Sequence, residues 1–190
     1  MGREPDQSRS NISRRQEVAG FPEGILTFLL TDIEGSTPLW ERHHAVMGAA
    51  LAHHKALILE TVASHGGQLI KTQGEGDSTL SVFLRASDAV AAAVALQRSL
   101  ATRSWPGSIT LPTRAALHTG EAELRDGDYY GQTLNRAARL RALGQGGQIL
   151  LSRATAELVV DQLPEGARLV DVGAHHLKGL SRPEIVFALV

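Results

Sequence analysis

The chain alternates between short continuous apolar runs and longer stretches in which apolar residues return every three or four positions. Leu26, Phe28, Leu29 and Leu30 form a run too short for a helix, which reads as a buried strand ending in Asp32. Glu34-Gly35-Ser36-Thr37 breaks the run, and Pro38 follows Thr37 as a first helical residue follows its cap. From 38 to about 64, residues Leu39, His43, Met47, Leu51, His54, Ile58 and Val62 fall on one helical stripe, which His65-Gly66-Gly67 ends. Strand-like runs at 68–71 and 79–84 are joined by the glycine- and acid-rich turn 72–78, a hairpin signal. Residues 86–100 are Ala-rich, with Val90, Val94, Leu96 and Leu100 spaced for a helix on a sheet and Asp88 in its first turn. A strand is expected over 109–117, with Pro112 near an edge or bulge, continuing at 121–124 until Arg125-Asp126-Gly127-Asp128 turns the chain. A helix over 132–143 stopped by Gly144, a strand at 148–151, a short helix at 154–160 and strands at 168–172, 175–178 and 185–190 complete the pattern. This order predicts an α+β fold. Its centre is a ferredoxin-like βαββαβ core with extra C-terminal strands, one mainly antiparallel sheet with helices over a face.

Composition narrows the class. At 190 residues the chain is long enough for one domain, placed at 25–190. Residues 1–24 interleave Arg3, Arg9, Arg14 and Arg15 with Glu4, Asp6, Glu17 and Glu23, contain few apolar residues and read as a flexible tail. Hydrophobic residues at 43% and charged residues at 21% are ordinary for a soluble globular protein. A formal net charge of -1 gives no global field toward nucleic acid or an anionic membrane. The absence of cysteine excludes disulfides and thiolate chemistry and fits a reducing cytoplasm, the expected location, and no apolar run reaches membrane-spanning length. The pairs His43-His44 and His53-His54 are not read as metal ligands. Adjacent helical residues do not share a face and no acid completes a set at i+4, so they are expected at the surface or an interface.

Candidate chemistry gathers on four residues. Asp32 ends a buried strand just before a helix start, where a carboxylate can hold a hard cation and free N–H groups can face phosphate. A lone Asp in a turn more often caps it. A second acid, Asp77, stands at the hairpin tip, and in a βαββαβ sheet the first strand lies between its neighbours. The two carboxylates can then converge to hold a pair of divalent cations, about 3.5–4 Å apart, as used for in-line displacement at phosphorus. Asn135 and Arg139, four apart, share a helix face; Asn can orient a sugar and Arg can meet charge on a transferring phosphoryl group. Read alone, with Arg136 and Arg141 nearby, that helix is equally a solvated basic face. No basic patch or aromatic stacking motif points to nucleic acid.

Together TDIEGST, the GEGD hairpin, HTGEAELRDGDYYG, QTLNRAARL and the ending HHLKGLSRPEIVFAL resemble, in order, the catalytic domain of class III nucleotide cyclases. The likeness is to the actinobacterial type and runs from about Ile25 to Val190. The resemblance implies the cyclase fold, two Mg²⁺ or Mn²⁺ ions on Asp32 and Asp77, and a triphosphate held by the turn Ile33, Glu34, Gly35 and Ser36. It further implies Asn135 as the ribose-orienting residue, Arg139 as the transition-state arginine, Asp128 as acceptor from the adenine amino group and Lys178 as a phosphate contact. The family builds its site across a head-to-tail homodimer, with Asp32 and Asp77 from one chain and Asn135 and Arg139 from the other. One position departs from the pattern: Gln73 stands where the family places its base-reading lysine, and Lys71 is two residues too early unless Gly74-Glu75 is an insertion. The expectation is an adenylate cyclase that prefers ATP with reduced selectivity or rate. The alternative is a cyclase-like domain that binds nucleotide or a partner without turnover. A diguanylate cyclase is disfavoured, because its G-G-[D/E]-E-F hairpin is replaced by QGEGDS.

Overall fold

The computed structural model describes residues 20–73 and 76–190; 1–19 of the expected tail and Gly74 and Glu75 of the hairpin lie outside it. In chain order the elements are β1 (Ile25–Ile33), α1 (Ser36–Ser64), β2 (Gln68–Gln73), β3 (Ser78–Phe83), α2 (Ala86–Thr102), β4 (Thr113–Glu121) and β5 (Glu123–Arg125). Then come β6 (Asp128–Tyr130), α3 (Gln132–Leu143), β7 (Ile149–Ser152), α4 (Arg153–Val159), β8 (Leu169–His175) and β9 (Glu184–Leu189). Seven strands make one sheet in the order β2-β3-β1-β4-β7-β9-β8, antiparallel except at β4–β7. No described helix is long and apolar enough to cross a membrane.

Strand β1 lies between β3 and β4, as the βαββαβ order requires, and is buried along nearly its whole length. Leu29 and Ile33 face a core built with Met47, Ile58, Ala89, Val90, Leu96, Ala156 and Val159 of α1, α2 and α4. Leu26, Phe28 and Leu30 face the opposite side, packed with Leu80, Val82, Tyr129 and Ala137. Helices therefore cover both faces, α3 and the β5–β6 hairpin lying opposite the other three, rather than one face as expected. Two-sided burial is why β1 reads as a continuous apolar run instead of an alternating one. Its buried threonines pair across strands, Thr27 with Thr119 at 2.9 Å and Thr31 with Thr79 at 2.7 Å between hydroxyl oxygens. Each hydroxyl thereby meets its hydrogen-bonding needs without water.

Several boundaries move for identifiable reasons. Helix α1 starts at Ser36 with Gly35 as its cap, not at Pro38 with Thr37 as its cap, because Gly35 turns the chain at φ 66, ψ 33. Pro38 still falls in the first turn, where a missing N–H costs no bond. Strand β4 begins after Pro112, which has no ladder donor, and 168–178 forms one edge strand followed by a loop rather than two strands. Both edge strands slip register, β2 between Leu69 and Lys71 and β8 between Asp171 and Gly173. Phe21 and Pro22, assigned to the tail, pack on Tyr129: the rings of Phe21 and Tyr129 meet edge-on at 6.2 Å, and the Tyr129 hydroxyl donates to the Pro22 carbonyl at 2.6 Å.

His54 corrects the surface reading of the histidine pairs. It is fully buried on the apolar stripe of α1, its Nε2 2.8 Å from the Thr113 hydroxyl and its ring beside Trp105. His118 is also buried, with Nδ1 2.7 Å from the Ser152 hydroxyl. Burial pulls each imidazole down to about 4, so both are neutral in the native protein at pH 7. Unfolded, each has the ordinary value of 6.5 and binds more protons than the folded chain between the two values. Stability is therefore lost as pH falls from 6.5 toward 4, by roughly 1–2 kcal/mol per histidine between pH 7 and pH 5. Urea unfolding at the two pH values should show this loss, and a His54→Gln variant should show a smaller difference than the parent.

Candidate active site

Asp32 stands one residue from the end of β1, and β4 places Arg114 directly opposite in the ladder. The two form a two-pronged ion pair: Arg114 Nε donates to Asp32 Oδ1 at 2.5 Å and Nη2 to Oδ2 at 3.0 Å. Helix α3 crosses this face and brings Arg141, whose Nε lies 3.4 Å from Asp32 Oδ2 and whose Nη1 reaches the Thr31 carbonyl at 3.5 Å. The Asp32 hydrogen bonds hold the Arg114 guanidinium above its usual value, whereas burial pulls that of Arg141 below, with Asp32 opposing the fall. Asp77 precedes β3 at the same end of the sheet, since Thr31 and Thr79 are register partners. Its charge also favours the charged forms of Arg114 and Arg141. Two aspartates and two arginines thus share one corner.

The turn after Asp32 is pinned. The Glu34 N–H donates to the Pro112 carbonyl at 2.8 Å, and the Glu34 carboxylate accepts from the Gly146 N–H at 2.8 Å. Ile33 is buried, Gly35 takes the left-handed cap and Ser36 opens α1. The Glu34 N–H is consequently not free to face a phosphate.

A second group of the expected residues meets elsewhere. Asn135, Arg139 and Lys178 line one cleft of about 400 Å³ with Gln132, Arg136 and Arg182. Its lining includes four cationic side chains and neither Asp32 nor Asp77. Arg136 is held by the buried carboxylate of Glu184 on β9, which also accepts from the Arg153 N–H at 3.3 Å. The solvated reading of Arg136 and Arg141 is therefore replaced: each is paired with a carboxylate. Asp128 sits on β6, just before α3, and its Oδ1 accepts from the Tyr129 N–H at 2.8 Å. Gln73 and Lys71 fall on β2, and their side chains lie outside the described residues.

Sequence reasoning missed Arg114, Arg182 and the pairing of Arg141. A signal for Arg114 existed, an arginine directly before the apolar strand run Ala115-Ala116-Leu117, but not for its partner, which lies 82 positions away. For a divalent cation the donor chemistry fits. Two hard carboxylates share a corner, and the guanidinium groups already paired with Asp32 oppose an added cation. Among the described residues no group of three or more His, Cys, Asp or Glu that could hold a metal ion is formed.

Since Asp32 balances two partly buried guanidinium groups, Asp32→Ala should destabilise the nucleotide-free protein by about 1–3 kcal/mol in urea unfolding. Asp32→Asn, which retains hydrogen-bond acceptance, should lose less.

The family model for the adenylate and guanylate cyclase catalytic domain matches residues 22–190. An uncharacterized protein of Mycobacterium tuberculosis is 48% identical over 169 residues, covering 88% of this chain and 56% of that protein. The chain therefore spans little more than half the length of this relative. Among solved structures, an adenylate/guanylate cyclase/hydrolase from Silicibacter pomeroyi superposes with a TM-score of 0.78 at 28% identity, over 89% of this chain and 98% of that one. The adenylyl cyclase CyaB from P. aeruginosa gives 0.73 at 26% identity, over 87% and 93%. With the sheet carrying Asp32 and Asp77 at one corner and the same fold in these solved cyclases, the chain belongs to the adenylate and guanylate cyclase catalytic domain family, the class III nucleotide cyclases.

Proposed function

We propose that the protein is an adenylate cyclase, forming 3′,5′-cyclic AMP and pyrophosphate from ATP at sites shared between two copies of the chain. The observation that carries this reading is the separation of the candidate residues into two groups, the Asp32–Asp77 corner and the Asn135–Arg139–Lys178 cleft. The corner offers carboxylates for cations and the cleft offers cations for phosphate, and a head-to-tail homodimer would set the corner of one chain against the cleft of the other.

In this reading Asp32 and Asp77 would hold two Mg²⁺ or Mn²⁺ ions, whose bound charge would acidify the ribose 3′-hydroxyl and neutralise phosphate charge. Asn135 fixes the ribose so that its 3′-oxygen points at the α-phosphorus, in line with the leaving pyrophosphate. The 3′-oxygen forms the new bond as the bond to pyrophosphate breaks, and the hydroxyl proton passes to solvent water. Arg139 meets the charge that develops on the α-phosphoryl oxygens. Lys178, with Gly35 and Ser36 at the start of α1, would hold the pyrophosphate portion, the Glu34 N–H being already bonded to Pro112. Asp128 accepts from the adenine amino group, which a guanine carbonyl cannot replace, and the amide of Gln73 donates to the ring. An amide can also flip and accept, so discrimination against GTP is expected to be weaker than a lysine would give.

With Mn²⁺, purified protein should make cyclic AMP faster than cyclic GMP, and Asp32→Asn or Arg139→Ala should each reduce product formation by at least about a hundredfold. Mixed in equal amounts, the two inactive proteins should recover about a quarter of the parent rate, because half the dimers then carry one intact site. Nucleotide binding without product, in protein shown to be dimeric, would instead select the non-catalytic reading that Gln73 motivates. No recovery on mixing two folded, individually inactive variants would remove the shared site.

A further inference from the structure

Asn135 and Arg139 are exposed in the cationic cleft, but Arg141, two residues on, points to the opposite side of α3 and is largely buried, with 16% of its side chain exposed. Its contacts are long for a guanidinium: 3.4 Å to Asp32 and 3.5 Å to the Thr31 carbonyl, and Nε makes no hydrogen bond. Arg114, by contrast, binds both Asp32 oxygens at short range from the neighbouring strand. Asp32 therefore has one partner fixed by the sheet and a second, loosely held cation delivered by the helix. Asp77 also acts on both guanidinium groups and Glu34 on that of Arg114, so three carboxylates already share these two cations. A divalent cation added there faces repulsion from both guanidinium groups, and the one that can yield is the one without a short bond.

We propose that Arg141 is a positioning residue that contends with the divalent cation for Oδ2 of Asp32, so that loading Asp32 shifts α3 and with it Asn135 and Arg139. The inference rests on Asp32 being a cation ligand, as in the function proposed above. Because α3 carries Arg141 on one side and the cleft residues on the other, the state of one chain's acidic corner is transmitted to the cleft that the same chain presents to its partner.

The test is Mn²⁺ titration of the nucleotide-free full chain, with free Mn²⁺ read by electron paramagnetic resonance. Arg141→Met and Arg141→Gln, which remove the charge, should each bind Mn²⁺ about tenfold tighter, the effect of one nearby unit charge even under near-bulk screening. Arg141→Lys, which keeps it, should stay within about twofold of the parent. A purely structural role predicts the opposite sign, since a misplaced Asp32 is a poorer ligand. Hydrogen exchange gives a second readout: Mn²⁺ should change amide protection along α3 in the parent and not in the neutral variants. Should Arg141→Met fail to fold, Arg141→Gln carries the same comparison with less loss of packing and hydrogen bonding. Unchanged or weaker Mn²⁺ affinity in a folded neutral variant overturns the proposal. Absence of Mn²⁺ binding in every protein overturns it together with the two-cation reading. Charge-dependent Mn²⁺ binding without cyclic nucleotide formation supports the role of Arg141 and removes only the cyclase reaction.

Discussion

Burial of β1 on both faces is the constraint from which the rest of the architecture follows. A strand with no solvent side needs a helical layer above and below, and the chain supplies α1, α2 and α4 on one face and α3 with the β5–β6 hairpin on the other. Its polar side chains must find partners inside the protein. Thr27 and Thr31 do so with threonines of the flanking strands. Asp32, the one charge on the strand, takes Arg114 from the adjacent strand and Arg141 from the helix above. A carboxylate in that position is costly unless paired, so the layer that covers β1 also has to bring a cation.

Much of this was legible in the sequence, and the misses share a cause. Periodicity reports which residues share a face, so β1, α2 and α3 appeared with nearly their observed bounds, and Gly144 marked the end of α3. Periodicity does not report what a face meets. Arg141 read as solvated because a helical arginine usually is; only the packing of α3 over β1, more than a hundred residues away in sequence, turns it into a buried counter-ion. His54 lay on the apolar stripe by spacing, and the stripe was the better guide than its histidine neighbour. Asp32 and Asp77 could be brought together from topology alone, because strand order in a βαββαβ sheet fixes which ends are adjacent. The ladder that sets Arg114 opposite Asp32 joins segments 82 residues apart, and no local pattern encodes it.

A net charge of -1 conceals a separation of charge within the chain. The cleft gathers Arg136, Arg139, Lys178 and Arg182, whereas the corner at Asp32 and Asp77 pairs its acids with Arg114 and Arg141. Among the described residues, Arg136 is the cleft cation paired with a buried acid, Glu184. Low overall charge thus reflects cancellation between regions, and the local field at the cleft favours anions strongly. Composition excludes a global electrostatic function and leaves this local one untouched.

The slipped registers of β2 and β8 limit how copies of the sheet can meet. An edge strand with an even ladder of unpaired N–H and C=O groups invites another strand to add to it. Here one edge breaks between Leu69 and Lys71 and the other between Asp171 and Gly173, where the Asp171 carboxylate caps the Gly173 N–H at 2.7 Å. Each irregularity twists its strand away from a flat template. Growth of the sheet into a continuous ribbon is thereby discouraged at both ends, which leaves side-chain surfaces, rather than backbone ladders, for any contact with another molecule.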